Sequence, residues 1–213
     1  MFARVLVALD SRSGRRDALL LGAQLASTDG AVVVADLLPT APTPLGGGSA
    51  ASARRRDSLR DGGEEVYAIM GPDPRVRYMP VAGLPLVDAV GAIARSERTS
   101  TIVLPQSVAG DAAGLVADCP CLIAIAPYGH RFARPFAPRR AGVPAQDARA
   151  KELLAAAQRL LPDCVSVPVD HGGDADLLVV GDVDTELLHE ARCPVLVIGE
   201  RAATRLIAPP LRR

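Results

Sequence analysis

The chain has 213 residues, room for one large or two small domains, with 49% hydrophobic but only 3% aromatic residues. Its core must therefore be built from Ala, Val, Leu and Ile. The 24 basic residues balance the 24 acidic ones, so no net field draws the chain to nucleic acid or to an acidic membrane surface. No apolar run approaches the ~20 residues of a membrane span, and the first strand begins almost at once, without a signal segment. The expectation is a cytoplasmic protein with reduced thiols.

Residues 4–10, RVLVALD, form a continuous apolar run, the pattern of a parallel strand buried on both faces. A helix follows, capped by Ser11 or Ser13 and closed by Gly30, with Ala18, Leu21 and Leu25 at helical spacing. AVVVADLLP (31–39) is a second buried strand, which makes a right-handed parallel βαβ unit. Pro, Gly and Ser dominate residues 40–58, a loop leading into a helix near 52–69. Gly46-Gly47-Gly48 reads as linker, because a phosphate loop needs its glycines between strand and helix with a Lys-Ser/Thr. Arg54, Arg55 and Arg56 read as a solvated helix face. A strand at 75–83, a helix at 84–97, a strand at 100–105, a short helix at 107–117 and a strand at 120–127 complete the pattern. The fold class is α/β: an open, mostly parallel five-stranded sheet with helices on both faces.

The chain then repeats itself. EARCPVLVIGE echoes VADCPCLIAIAP, so Cys193-Pro194 stands where Cys119-Pro120 stood. Leu153, Leu154, Ala157 and Gln158 fall on Leu19, Leu20, Ala23 and Gln24. Only PDCVSVPVDHGGDA lies between the second copy's first helix and its strand at 177–181, so two elements and their helices are mostly gone. The division expected is a full domain at 1–127, a linker at 128–138, a truncated copy at 139–200 and a tail at 201–213. So short a copy has little core of its own and should lean on the first.

RVLVALDSRSGRRDALLLGAQLA, VAGLPLVDAVGAIARSERTSTIVLP and SVAGDAAGLVADCPCLIAIAP together resemble the universal stress protein family. The resemblance covers most of 3–127 and, in reduced form, 139–199, as in tandem two-domain members. It implies the adenine nucleotide alpha hydrolase-like, Rossmann-like fold. The family's ATP binders carry G-x-x-G, nine residues and G-Ser/Thr between the fourth strand and the last helix, where backbone N–H groups and a helix N-terminus hold phosphate. Here fourteen steps separate Pro105 from Cys119, and twelve separate Gly181 from Cys193. Both spacings hold the helix alone, and Pro105 has no N–H to donate. ATP is therefore disfavoured and no cofactor is expected. The resemblance places Asp10 at the family's adenine-side position. Asp10, Ser11, Leu38 and Ser107 are the candidate ligand contacts if a nucleotide or metabolite binds, although Asp10 reads first as a cap for the turn at 11–14. Because family members commonly pair through their last strands, 120–126 is expected to pair antiparallel with 194–199 inside the chain. That gives a pseudo-dimer, with room for a homodimer of whole chains and an unidentified protein partner.

Other chemistry is weaker. A zinc site would need C-x-x-C-type spacing with partners, which Cys164 and Cys193 could in principle supply, but Cys119 and Cys121 read first as buried structural thiols. His130, His171 and His189 are scattered, and no G-x-S-x-G elbow is present. Asp170, Asp174, Asp176, Asp182 and Asp184 near His171 read as a solvated loop, so no metal is expected. Residues 129–140, GHRFARPFAPRR, read as a linker rather than a nucleic-acid contact. The leading function is a non-enzymatic stress-response or regulatory binding module without ATP. The alternative is a residual adenine-nucleotide or small-metabolite binder at Asp10. A hydrolase or thiol redox enzyme comes third.

Overall fold

A computed structural model of the chain describes residues 2–10, 13–38, 49–130, 138–170 and 174–207. The Gly46–Gly48 run, most of the linker and the side chains of Arg54, Arg55 and Arg56 lie outside the described parts. The elements are β1 Phe2–Leu9, α1 Arg15–Leu25, β2 Ala26–Leu38, α2 Ser49–Met70, β3 Val76–Ala82, α3 Leu86–Ser96 and β4 Thr101–Pro105. A 3₁₀ turn at Gln106–Asp111 leads into α4 Ala112–Asp118 and β5 Leu122–Ala126. Then come β6 Arg140–Pro144, α5 Ala150–Leu160, β7 Val165–Val169, β8 Leu177–Val180, α6 Thr185–Glu190, β9 Val195–Val197 and α7 Glu200–Ile207.

All nine described strands join one sheet in the order β3-β2-β1-β4-β5-β9-β8-β6-β7. Every neighbouring pair is parallel except β5 and β9, which run antiparallel with Ile123 opposite Val197, Ala124 opposite Leu196 and Ile125 opposite Val195. β2-β1-β4-β5 on one side thus meets β7-β6-β8-β9 on the other. Alternation sends side chains to opposite faces, and both faces are apolar. Val7, Ala124 and Leu196 pack with Leu19 of α1, Leu153 of α5 and Ala203 of α7. Leu6, Ile123 and Val197 pack on the other face with Val90 of α3, Leu115 of α4 and Leu188 of α6. With helices on both sides and almost no aromatic residue, the core is a Val/Leu/Ile/Ala sandwich.

Two elements differ from the sequence reading. Residues taken as lost in the second copy include β7, an edge strand paired with β6. Its Pro168 hides it from a propensity reading, yet the position tolerates proline. Val165 donates to Arg139 O, so by alternation Ser166 and Pro168 turn outward, where a missing N–H breaks no ladder. At the opposite edge, Arg75 O accepts from Val32 N, which turns Pro80 of β3 outward in the same way. Both free edges of the sheet are therefore blunted by proline. The second difference is residues 200–207, a helix rather than a tail, which buries Ala202 and Ala203 against the α5 side of the core.

Ile123 is fully buried at the β5–β9 junction. Ile123→Ala is expected to cost about 3 kcal/mol. For a chain of this size, the melting temperature should fall by roughly 6–12 °C in calorimetry.

Candidate functional site

In an open α/β sheet the ligand crevice lies outside the carboxyl ends of the strands, where the strand order reverses. Here that place lies between β1 and β4. β1 ends at Leu9, and Asp10 follows half-buried, its carbonyl accepting from Arg15 Nη1 at 2.8 Å. Ser11 lies outside the described residues. Leu38, the last residue of β2, is half-buried in register with Ala82. Ser107 follows β4, and its Oγ donates to Ser13 O at 2.6 Å. The fold therefore gathers Asp10, Leu38 and Ser107 at the carboxyl ends of three adjacent strands, with Ser107 already bonded across the gap.

The N-cap of α1 is Gly14, at φ 90°, and not Ser13. A left-handed residue favours glycine, and here contact adds to the demand: a Cβ on Gly14 would stand 3.1 Å from Pro105 Cβ and 3.6 Å from the Tyr128 ring. The Ser13 hydroxyl, freed from capping, donates to Tyr128 Oη at 3.3 Å.

Gln106 occupies the place just after β4 where a phosphate loop would begin. It is 2% exposed. Its Nε2 donates to Leu188 O at 2.6 Å and to His189 O at 2.8 Å, and its Oε1 accepts from Tyr128 N at 2.8 Å. Every polar site of this buried amide is used, and it ties the turn after β4 to α6 and to the segment after β5. That segment continues as a strap over α1. Gly129 N donates to Asp17 Oδ2 at 3.1 Å, and His130 Nε2 lies 2.9 Å from Gln24 Oε1.

A second network was not anticipated from the sequence. Arg15 grips Asp36 with two hydrogen bonds, Nη1 to Oδ1 at 2.7 Å and Nη2 to Oδ2 at 3.1 Å, and reaches Glu65 Oε2 from Nε at 3.0 Å. The Tyr78 hydroxyl donates to Asp36 Oδ2 at 2.8 Å. Asp36 is 2% exposed. Gly62 of α2 sits directly above, where a Cβ would fall 2.5 Å from Tyr78 Oη and 2.6 Å from Asp36 Oδ2. Burial opposes the Arg15 charge, but the bonds and charges of Asp36 and Glu65 outweigh it and hold the guanidinium above its usual pKa. Burial, then the Asp36 carboxylate, pushes the Tyr78 phenol up. The network locks α1 and α2 to β2 and β3. Its sequence signal was an aspartate inside an otherwise apolar buried strand, VVVADLL, which demands a cationic partner.

The second half shows a related device. In the alignment that matches Leu153 with Leu19, Arg149 falls on Arg15. With no counterpart of Asp36 on β7, Arg149 turns the other way. It pairs with Glu152 at 3.0 Å and reaches Ile198 O at 3.3 Å, beyond β9. Gly181 N, the aligned position of the family's first phosphate-loop glycine, donates to Asp147 Oδ2 at 3.1 Å.

The remaining candidates are structural. Asp184 caps α6, accepting from Glu186 N at 3.0 Å and Leu187 N at 3.2 Å. Asp176 Oδ2 accepts from Arg139 N at 2.9 Å and Arg140 N at 3.1 Å. His171 lies outside the described residues. Among the described residues, no group of three His, Cys, Asp or Glu is arranged to hold a metal ion. The four cysteines are thiols outside any disulfide, and Cys119, Cys121 and Cys164 are buried. Cys119 and Cys121 both precede β5, which begins at Leu122 and not at residue 120. Burial raises the Cys119 thiol, against the opposing charge of Arg95. Among the described residues, no helix is long and apolar enough to cross a membrane.

Two outcomes follow. Asp36→Ala leaves Arg15 and the Tyr78 hydroxyl short of their shared partner. Arg15 keeps Glu65 and is one-fifth exposed, so the loss in chemical denaturation is expected at about 2–3 kcal/mol, below that of a fully buried pair. His130 is held below its usual pKa by burial, against the nearby Asp17 charge. The unfolded chain then takes up its proton first as pH falls below about 6.5. This contribution to stability is present above that pH and lost below it. The fall in melting temperature between about pH 8 and pH 5 should be smaller in His130→Leu.

No protein-family profile matches the chain. No curated protein matches it. Solved structures do. A universal stress protein from Archaeoglobus fulgidus DSM 4304 aligns over 92% of this chain and 96% of its own, at 12% identity and a TM-score of 0.55. A universal stress family protein from Burkholderia pseudomallei covers 58% of this chain and 94% of its own, at 22% identity and a TM-score of 0.46. A universal stress protein solved in complex with cAMP covers 58% of this chain and 96% of its own, at 17% identity and a TM-score of 0.42. The mostly parallel α/β sheet covered by helices is the fold of the universal stress proteins.

Proposed function

We propose that the chain is a tandem universal stress-like protein acting as a non-enzymatic regulatory binding module that does not take ATP. The observation that carries this reading is the filling of both carboxyl-end crevices by the chain's own groups. In the first half Ser107 bonds Ser13, Gln106 holds Tyr128 and α6, and Pro105 packs against Gly14. In the second, Asp147 takes the Gly181 N–H. A phosphate needs several free, convergent N–H donors, and the described residues of neither crevice offer such a set. Among the described residues no acid–base pair or activated nucleophile stands in their place, which supports a binding rather than a catalytic role. In this reading the second copy keeps counterparts of β1, α1, β2, β4 and β5 and lacks those of β3, α2 and α3. The β5–β9 pairing would then be an internal pseudo-dimer contact.

A thermal-shift titration with millimolar ATP, ADP and AMP is expected to leave the melting temperature unmoved. A reproducible rise that disappears in Asp10→Ala would establish the alternative, nucleotide binding at the β1 crevice.

A further inference from the structure

The Cys119–Pro120–Cys121 turn plays no part in either carboxyl-end crevice. It lies at the other end of the sheet, where β4 and β5 begin. A cleft of about 390 Å³ opens there, lined by Arg95, Arg98, Thr99, Cys119, Pro120 and Cys121. That volume falls within the range of small-molecule sites. Its floor is soft and buried: Cys119 is 1% exposed and Cys121 6%, and the Cys121 thiol donates to Thr99 O at 3.1 Å. Its rim carries two exposed arginines. Among the described residues neither guanidinium has a hydrogen bond or an ion pair. Of the nearby acids, Glu97 is already paired with Arg77, and Asp118 acts on the Cys119 thiol against Arg95, which leaves the two arginines with a net positive charge.

Arg98 is held there at a conformational cost. Helix α3 ends in a Schellman turn, with Arg98 N bonded to Arg95 O at 3.3 Å and Thr99 N to Ala94 O at 2.9 Å. Its left-handed position is normally glycine. Arg98 sits there at φ 52°, the one described non-glycine residue with positive φ. Complementing the helix C-terminus accounts for Arg95. It does not require an arginine at the glycine position, where the backbone favours no side chain at all. Strain kept at one residue that faces a cleft is a mark of a site.

We propose that this cleft binds a small organic anion, an oxyanion headgroup on a compact apolar body, with the headgroup between Arg95 and Arg98 and the body over the Cys119–Cys121 turn. Two whole positive charges outweigh the roughly half negative charge of the helix end, and the thiols, the proline and Ala94 accept an apolar body but no second charge.

The test is an amide NMR titration of the full chain with phenyl phosphate, with benzoate, and with neutral benzyl alcohol. Saturable shifts at Thr99, Cys119 and Cys121 with either anion support the proposal, and the better anion distinguishes a phosphate from a carboxylate ligand. Arg98→Gly suits the left-handed backbone, so its melting temperature should be unchanged or higher while affinity falls at least tenfold. Arg95→Gln should weaken binding likewise. The proposal is overturned if neither anion shifts these amides, if benzyl alcohol shifts them equally, or if both variants bind as the parent does.

Discussion

Three residue pairs between β5 and β9 join the halves of the molecule, and their direction matters as much as their number. A parallel partner would have extended the sheet with the same crevice orientation. The antiparallel pairing instead rotates the second half about the junction and brings α6 down on the 3₁₀ turn after β4. Gln106 can reach Leu188 O and His189 O only because of that placement. Without a partner, β5 would be an edge strand apolar on both faces, the kind that invites aggregation. The pairing removes that edge, and Pro80 and Pro168 blunt the two that remain.

This packing places the bonds that span the described part of each crevice. In the first half the turn after β4 is anchored on three sides: to α6 by Gln106, to Ser13 by Ser107, and to the strap by Tyr128 N. Opening it would strand a fully buried amide, and an unpaired buried polar group is costly. In the second half a carboxylate of the chain supplies the negative charge that the Gly181 N–H would otherwise seek in a ligand. Arg15 and Arg149, aligned in sequence, are held differently. One is drawn inward by Asp36. The other, lacking that acid, goes to Glu152 and the end of β9.

The strands and helices were legible in the sequence because both faces of the sheet are buried, which makes continuous Val/Leu/Ile/Ala runs. β7 escaped notice because its outward Pro168 looks like a strand breaker unless the edge is known. α7 escaped because its apolar residues pack on α5, an element distant in sequence. The candidate positions Asp10, Leu38 and Ser107 fell at the carboxyl ends of neighbouring strands because that location follows from chain order. What fills the space between them did not. Tyr128, Gln106 and Asp147 act through contacts far along the chain, with no local signal. Cys119 and Cys121 read from the sequence as buried structural thiols, and the structure draws attention to the arginines beside them.

The closed crevices are most directly tested by hydrogen–deuterium exchange of the intact chain with and without saturating Mg·ATP. The account predicts identical exchange at Gln106–Ala109, Tyr128–His130 and Gly181, since each segment is already bonded within the protein. Slower exchange at Gly181 or in the turn after β4 on adding the nucleotide would contradict it.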